Sequence, residues 1–161
     1  MIWKTPNNEF TVELPSEVLS KMSEHVKSDT GLETGGILIG KYIDANTIAV
    51  VYDACPPPAD STCTFSTFKR GVKGLSKLLK SLWYQRERLY YIGEWHYHPV
   101  TKVCPSHTDF SQMISISEDP NYECKEPIMV IIGKGENEKR ELKCLVFPKG
   151  VTLEMYEVNP L

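Results

Sequence analysis

Two hydrophobic periods alternate along this chain. Val18, Leu19, Met22 and Val26 fall at spacings of three and four between Pro15 and Val26, the apolar stripe of an amphipathic helix. A turn is expected at Ser28-Asp29-Thr30-Gly31. The segments Ile37 to Ile43 and Ile48 to Tyr52 are rich in apolar and β-branched residues, and Asp44-Ala45-Asn46 between them predicts a hairpin. Cys55-Pro56-Pro57-Pro58 ends that pairing, because proline cannot donate to a ladder. A second helix, the longest the pattern predicts, is expected from Phe68 to Arg86. Val72, Leu75, Leu78, Leu79, Leu82 and Trp83 line one side of it, with Lys69, Arg70, Lys73, Lys77 and Lys80 on a solvated remainder. Leu89 to His98 reads as a strand halted by Pro99, and Ser106 to Ile116 as a helix with Ser106 as its N-cap. Strands are expected at Pro127–Ile132 and Leu142–Phe147, on either side of a charged turn at Gly133–Glu138. This order predicts an α/β fold with a mixed β-sheet flanked by helices.

Composition narrows the class. A chain of 161 residues, 41% hydrophobic and 24% charged, fits one globular domain over residues 1–161. A net charge of −3 lacks the basic excess of a nucleic-acid binder. No secretion signal begins the sequence, and no run approaches the ~20 apolar residues of a membrane helix. Neither nucleic acid nor membrane is therefore expected as a partner, and a cytoplasmic location is expected. The five cysteines are odd in number and form no C-x-x-C pair, which fits free thiols rather than a disulfide framework or a cysteine zinc site.

The chemistry lies around Pro99. His96 and His98 emerge on one face of their strand and can hold one ion together. Eleven residues after His98, Asp109 stands on the first turn of the next predicted helix, from which its carboxylate can reach the strand end. Two histidines and one carboxylate leave a zinc coordination position open for water, the arrangement of a catalytic site. Zinc lowers the pKa of bound water from about 15.7 towards 7, so hydrolysis is the chemistry expected. Such a site also needs a base and a donor for the oxyanion. Ser106 is a candidate donor, although an N-cap serine would look the same. Glu94 shares the histidines' face and is either the base or a hydrogen-bond partner of a ligand.

His96-Tyr97-His98-Pro99 followed by Ser106-His107-Thr108-Asp109 resembles the H-x-H-P-x(7)-S-x-x-D signature of JAMM (JAB1/MPN/Mov34) metallopeptidases. Glu33-Thr34-Gly35-Gly36-Ile37-Leu38-Ile39-Gly40 resembles that family's glutamate strand. The resemblance implies a JAB1/MPN domain with a cytidine deaminase-like fold and zinc on His96, His98 and Asp109. It further implies that Glu33 is the general acid/base and that Ser106 steadies the tetrahedral intermediate. Glu33, not Glu94, is then the base, with Gly35 and Gly36 allowing close packing beside it. Tyr97 departs from the Ser or Thr of eukaryotic members. Small size and the Gly-Glu-Trp-His-x-His-Pro wording resemble the compact bacterial branch, whose members accompany ubiquitin-transferase-like proteins in CBASS anti-phage operons. That branch implies cleavage of a ubiquitin-like or C-terminally conjugated protein, such as a cGAS-like nucleotidyltransferase joined to its target by a ubiquitin-transferase-like ligase.

Three other readings are weighed against it. One keeps the zinc chemistry but makes the substrate a sulfur-carrier protein of cysteine or thiamine synthesis. A second is a non-catalytic MPN interaction module, which would be expected to have lost ligands. The third is a non-haem iron oxygenase; its cupin-like versions need a further histidine, and only His25 and His107 remain, both on predicted helices.

Overall fold

The computed structural model describes residues 1–26, 31–100, 103–134 and 140–158. Among these residues ten strands and three α-helices follow one another as β1 (Ile2–Lys4), β2 (Thr11–Glu13), α1 (Ser16–His25), β3 (Thr34–Ile43), β4 (Ile48–Ala54), β5 (Thr62–Cys63), β6 (Phe68–Lys69), α2 (Leu75–Trp83), β7 (Tyr90–His98), α3 (His107–Glu118), β8 (Ile128–Gly133), β9 (Glu141–Val146) and β10 (Leu153–Val158). Eight strands form a mixed sheet in the order β1-β10-β9-β8-β7-β3-β4-β2, and β2 pairs back onto β1 to close it. Among the described strands β2/β4 and β7/β8 run parallel and the other pairs antiparallel. The crossover between β7 and β8 carries α3, which brings a helix N-terminus beside the end of β7.

Alternation along the strands separates two cores. Val12, Leu38, Val51, Ile92, Trp95, Val130, Ile132 and Val146 face one way and meet Val18 and Met22 of α1. Ile37, Ile39, Met129, Ile131 and Leu145 face the other way and pack with Met113 and Ile116 of α3 and, less completely, with the leucines of α2. Within β7, Trp95 and Tyr97 belong to the first side, so His96 and His98 project to the second, beneath the helices. The alternation changes step near Gly93, where the β3/β7 register shifts. A Cβ on Gly93 would collide with the carbonyl of Ile128, so only glycine lets β8 approach there.

The central elements match the periodicity closely. Pro15 caps α1, the hairpin turns at Asp44, Ala45 and Asn46 with positive φ at all three, and β4 stops before the prolines. Of the turn expected at Ser28–Gly31, only Gly31 is among the described residues, with φ of 66°. Most of the charged turn at Gly133–Glu138 also lies outside them.

The second predicted helix needs correction. It covers only Leu75–Trp83, and α3 is longer. Phe68 and Lys69 instead pair with Cys63 and Thr62. Asp60 then accepts hydrogen bonds from the backbone N–H groups of Val72 and Lys73, both at 3.0 Å, and Gly74 adopts φ of 85° at the N-cap. These local bonds offer the backbone an alternative to the helix, and the apolar stripe counted across them crosses a turn.

Candidate metal centre

Three elements converge on the centre. β7 supplies His96 and His98, the first turn of α3 supplies Asp109, and the residue preceding β3 is Glu33. Ser106 begins α3 with a capping box: its Oγ accepts from Asp109 N at 3.1 Å, and Asp109 Oδ2 accepts from Ser106 N at 2.6 Å. This bond aims the carboxylate back at the strand. Asp109 Oδ1 lies 3.0 Å from His96 Nδ1 and Oδ2 lies 3.5 Å from His98 Nε2.

Each histidine is fixed through its other nitrogen. His98 Nδ1 faces the Cys104 carbonyl at 3.0 Å, an acceptor only, so Nδ1 carries the proton and Nε2 a lone pair. His96 Nε2 lies 3.4 Å from Glu94 Oε2, which in the neutral ring leaves the lone pair on Nδ1. Those two lone-pair atoms, His96 Nδ1 and His98 Nε2, are buried and have no hydrogen-bond partner. Buried polar atoms are rarely left so, and here both belong to a group of His96, His98 and Asp109 ligand atoms lying within 4.8 Å of one another. The donor set, its spacing and its orphaned nitrogens fit a cation.

The electrostatics match a cluster poised for a positive charge. Burial alone would raise the Asp109 pKa, but pairing with the adjacent His96 ring and the Ser106 cap bring it down to about 2. Burial lowers that of His96, yet Asp109 on one side and Glu94 on the other raise it to about 9. For His98, burial dominates and its pKa falls. Glu33 is half-buried, and burial followed by repulsion from Asp109 raises its carboxyl above the ordinary range, with His96 opposing.

Glu33 is placed by register. Thr34 pairs with Tyr97 and Gly35 with His96, so continuing the register carries Glu33 towards His98, and its carboxyl feels the charges of Asp109 and His96. Its N–H donates to the Thr64 carbonyl at 2.7 Å, which anchors it to the β5–β6 hairpin. A Cβ on Gly35 would overlap the Trp95 carbonyl oxygen and stand 2.8 Å from Phe68 Cε1 and 2.9 Å from His96 Cδ2. Glycine therefore allows β3 to lie flush against the ligand strand. Phe68 packs edge-on against His96, with ring centroids 5.3 Å apart.

Of the five residues singled out in the sequence, His96, His98 and Asp109 bring their ligand atoms together, Ser106 caps the helix that carries Asp109, and Glu33 precedes the strand paired with β7. Glu94 does not stand free as a base; it is fully buried and held by Arg70 Nε at 2.8 Å and Gln112 Nε2 at 2.8 Å. Arg70 is the residue sequence reading misplaced: it lies off α2, its side chain 7% exposed, rather than on a solvated helical face. Gly71 and Gly74, close behind it, were the available signal against a helix there. Gln112 was legible only as the residue one turn beyond Asp109 on the same face of α3. Tyr97 faces the first core, as expected of a side chain opposite the ligands. His25 stacks on Trp95 at 6.0 Å, and His107 is exposed at the start of α3.

A family model described as prokaryotic homologs of the JAB domain matches residues 15–145. The "CD-NTase/cGAS isopeptidase" of Enterobacter hormaechei subsp. hoffmannii (strain UCI 50) is 41% identical over 142 residues, 88% of this chain and 77% of that protein. "Probable metalloprotease y4qB" of Sinorhizobium fredii (strain NBRC 101917 / NGR234) is 27% identical over 124 residues, 76% of this chain and 75% of that protein. The solution structure of protein DSY2949 from Desulfitobacterium hafniense shares the fold, with a TM-score of 0.64 at 20% identity, covering 89% of this chain and 88% of that one. With the His-His-Asp cluster at its centre and this family match across most of its length, the chain belongs to the prokaryotic JAB family and is a JAMM-type metallopeptidase.

Proposed function

We propose that this protein is a zinc-dependent isopeptidase that releases a protein conjugated through the C-terminus of a cGAS-like nucleotidyltransferase, within CBASS anti-phage defence. The observation that carries the substrate class is the 41% identity, over 88% of this chain, to the protein named CD-NTase/cGAS isopeptidase. A ubiquitin-transferase-like ligase that forms the conjugate is the natural counterpart. A cytoplasmic setting follows from such a substrate; among the described residues no helix is long and apolar enough to cross a membrane.

His96 Nδ1, His98 Nε2 and an Asp109 oxygen would hold the zinc. When bound, zinc supplies Lewis acidity, acidifying a water and polarising the scissile carbonyl. Glu33 accepts the water's proton and returns it to the departing amine; its raised pKa suits a group that must both take and give. A serine hydroxyl has one donor and two acceptor lone pairs, and the helix cap occupies only an acceptor of Ser106. Its O–H is left to donate to the oxygen on which negative charge develops.

The test is to incubate zinc-loaded protein with a nucleotidyltransferase joined through its C-terminus to a lysine of a target, and to read the products by mass spectrometry. Regeneration of an intact C-terminal carboxylate and a free lysine is expected. A conjugate left whole by the zinc-loaded enzyme, with a ubiquitin-like sulfur carrier cut instead, would overturn the substrate assignment and keep the chemistry.

A further inference from the structure

Glu94 is a poor residue to bury for stability alone. It is 0% exposed, and its partner Arg70 has only 7% of its side chain exposed. Removing both charges from water costs several kcal/mol each by typical values, and apolar replacements of buried ion pairs are often as stable. The pair therefore calls for another role.

The hydrogen bonds indicate one. Oε1 of Glu94 accepts from Arg70 Nε at 2.8 Å, with the Tyr91 hydroxyl at 3.5 Å. Oε2 accepts from Gln112 Nε2 at 2.8 Å and faces His96 Nε2 at 3.4 Å. Arg70 is itself held by the Gly71 carbonyl at 3.2 Å and the Tyr122 hydroxyl at 3.1 Å. The carboxylate is thus fixed at once from α3, from β7 and from Arg70 just after β6, and its remaining polar neighbour among the described residues is the ring nitrogen of a proposed ligand. An anion there accepts a hydrogen bond from Nε2–H and so keeps the neutral ring's lone pair on Nδ1, the atom that faces Asp109. Phe68 closes the ring's flank, so His96 is constrained in both tautomer and tilt.

We infer that Arg70, Glu94 and Gln112 form a positioning assembly that holds His96 as the Nε2–H tautomer with Nδ1 presented to the metal. Arg70 anchors the buried carboxylate, Glu94 orients the imidazole, and Gln112 ties this support to the helix that also carries Asp109. The ligands from β7 and α3 are thereby locked to each other through their outer contacts as well as through the ion. The inference rests on His96 being a metal ligand.

The experiment compares wild type with Glu94→Gln and with the double variant Arg70→Met/Glu94→Leu, which removes both buried charges together. Zinc affinity is read by chelator competition, and the His96 Nε2–H of the zinc-loaded protein by long-range proton–nitrogen NMR. Loss of such an outer contact typically weakens metal binding about 10- to 100-fold, which is the fall expected in both variants, together with faster exchange of the Nε2 proton. A folded double variant whose zinc affinity stays within about twofold of wild type would overturn the positioning role. Wild type that binds no zinc would instead overturn the ligand reading beneath it. Should neither variant fold, Gln112→Leu decides: with Oε2 left to the imidazole alone, the Nε2–H resonance is expected to shift downfield, and an unmoved resonance would contradict the proposal.

Discussion

Ser106 has two jobs on this account, and they can be separated by substitution. Its Oγ accepts from Asp109 N at 3.1 Å, the forward half of the capping box, while its O–H is left for the developing oxyanion. Truncation to alanine removes both. Loss of an N-cap serine costs about 1 kcal/mol, and in a domain of this size each kcal/mol lowers Tm by roughly 2–4 °C. Loss of an oxyanion donor costs far more in rate, about 10²- to 10³-fold in kcat. Glycine separates the two effects, because it replaces a capping side chain at a cost of only a few tenths of a kcal/mol. Ser106→Gly should therefore unfold within a degree or so of wild type, bind metal normally and still lose about 10²-fold or more in kcat. Thermal unfolding, metal content and single-turnover cleavage, measured on Ser106→Ala and Ser106→Gly side by side, give the comparison. A glycine variant retaining kcat within about threefold would refute the donor role and leave Ser106 a helix cap alone.

Other perturbations read different parts of the centre. Asp109→Asn removes the anion shared by His96 Nδ1 and His98 Nε2, so metal content by elemental analysis should fall to background along with activity; stoichiometric metal in that variant would remove Asp109 from the ligand set. Gly35→Ala places a methyl against the Trp95 carbonyl and within 2.9 Å of His96 Cδ2, so denaturant unfolding should show a loss of about 1–3 kcal/mol and metal binding should weaken. An unchanged midpoint would contradict the close approach of β3 to β7. In the metal-free protein His96 has its pKa raised to about 9, against about 6.5 when unfolded. A raised pKa stabilises fully below about 6.5 and ceases to as pH rises through about 9, so stability should drop on the order of 1–2 kcal/mol between pH 6.5 and 8. That window lies below the range in which unfolded forms of the buried thiols Cys55, Cys124 and Cys144 would ionise and add their own slope. A flat profile there, or the same slope in zinc-loaded protein, would contradict the assignment.

Where the sequence was legible, one physical rule governed one segment. Strand alternation put His96 and His98 on one face, and the S-x-x-D spacing announced a capping box that does hold Asp109 towards them. The three-residue strands β1 and β2 escaped notice because so short a stretch carries no measurable period; their place is set by pairing with β10 and β4. Closure of the sheet through them is a long-range event that no local pattern encodes. Arg70 was misread for a related reason: the apolar stripe from Phe68 to Trp83 is real as a count, but Asp60, ten residues before Arg70, bonds the backbone at Val72 and Lys73 and stops the helix from forming there. The proposed ligands could be picked out by spacing. Their supports, Arg70, Gln112 and the Cys104 carbonyl, come from segments whose meeting is decided by tertiary packing.

The central claim is that Glu33 serves a zinc centre as its proton carrier without holding the metal. Its most direct test is to measure bound zinc and single-turnover cleavage of one isopeptide-linked substrate in wild type and Glu33→Gln. The account predicts equal, stoichiometric zinc in both and cleavage lost in the variant alone; cleavage at the wild-type rate by zinc-loaded Glu33→Gln would contradict it.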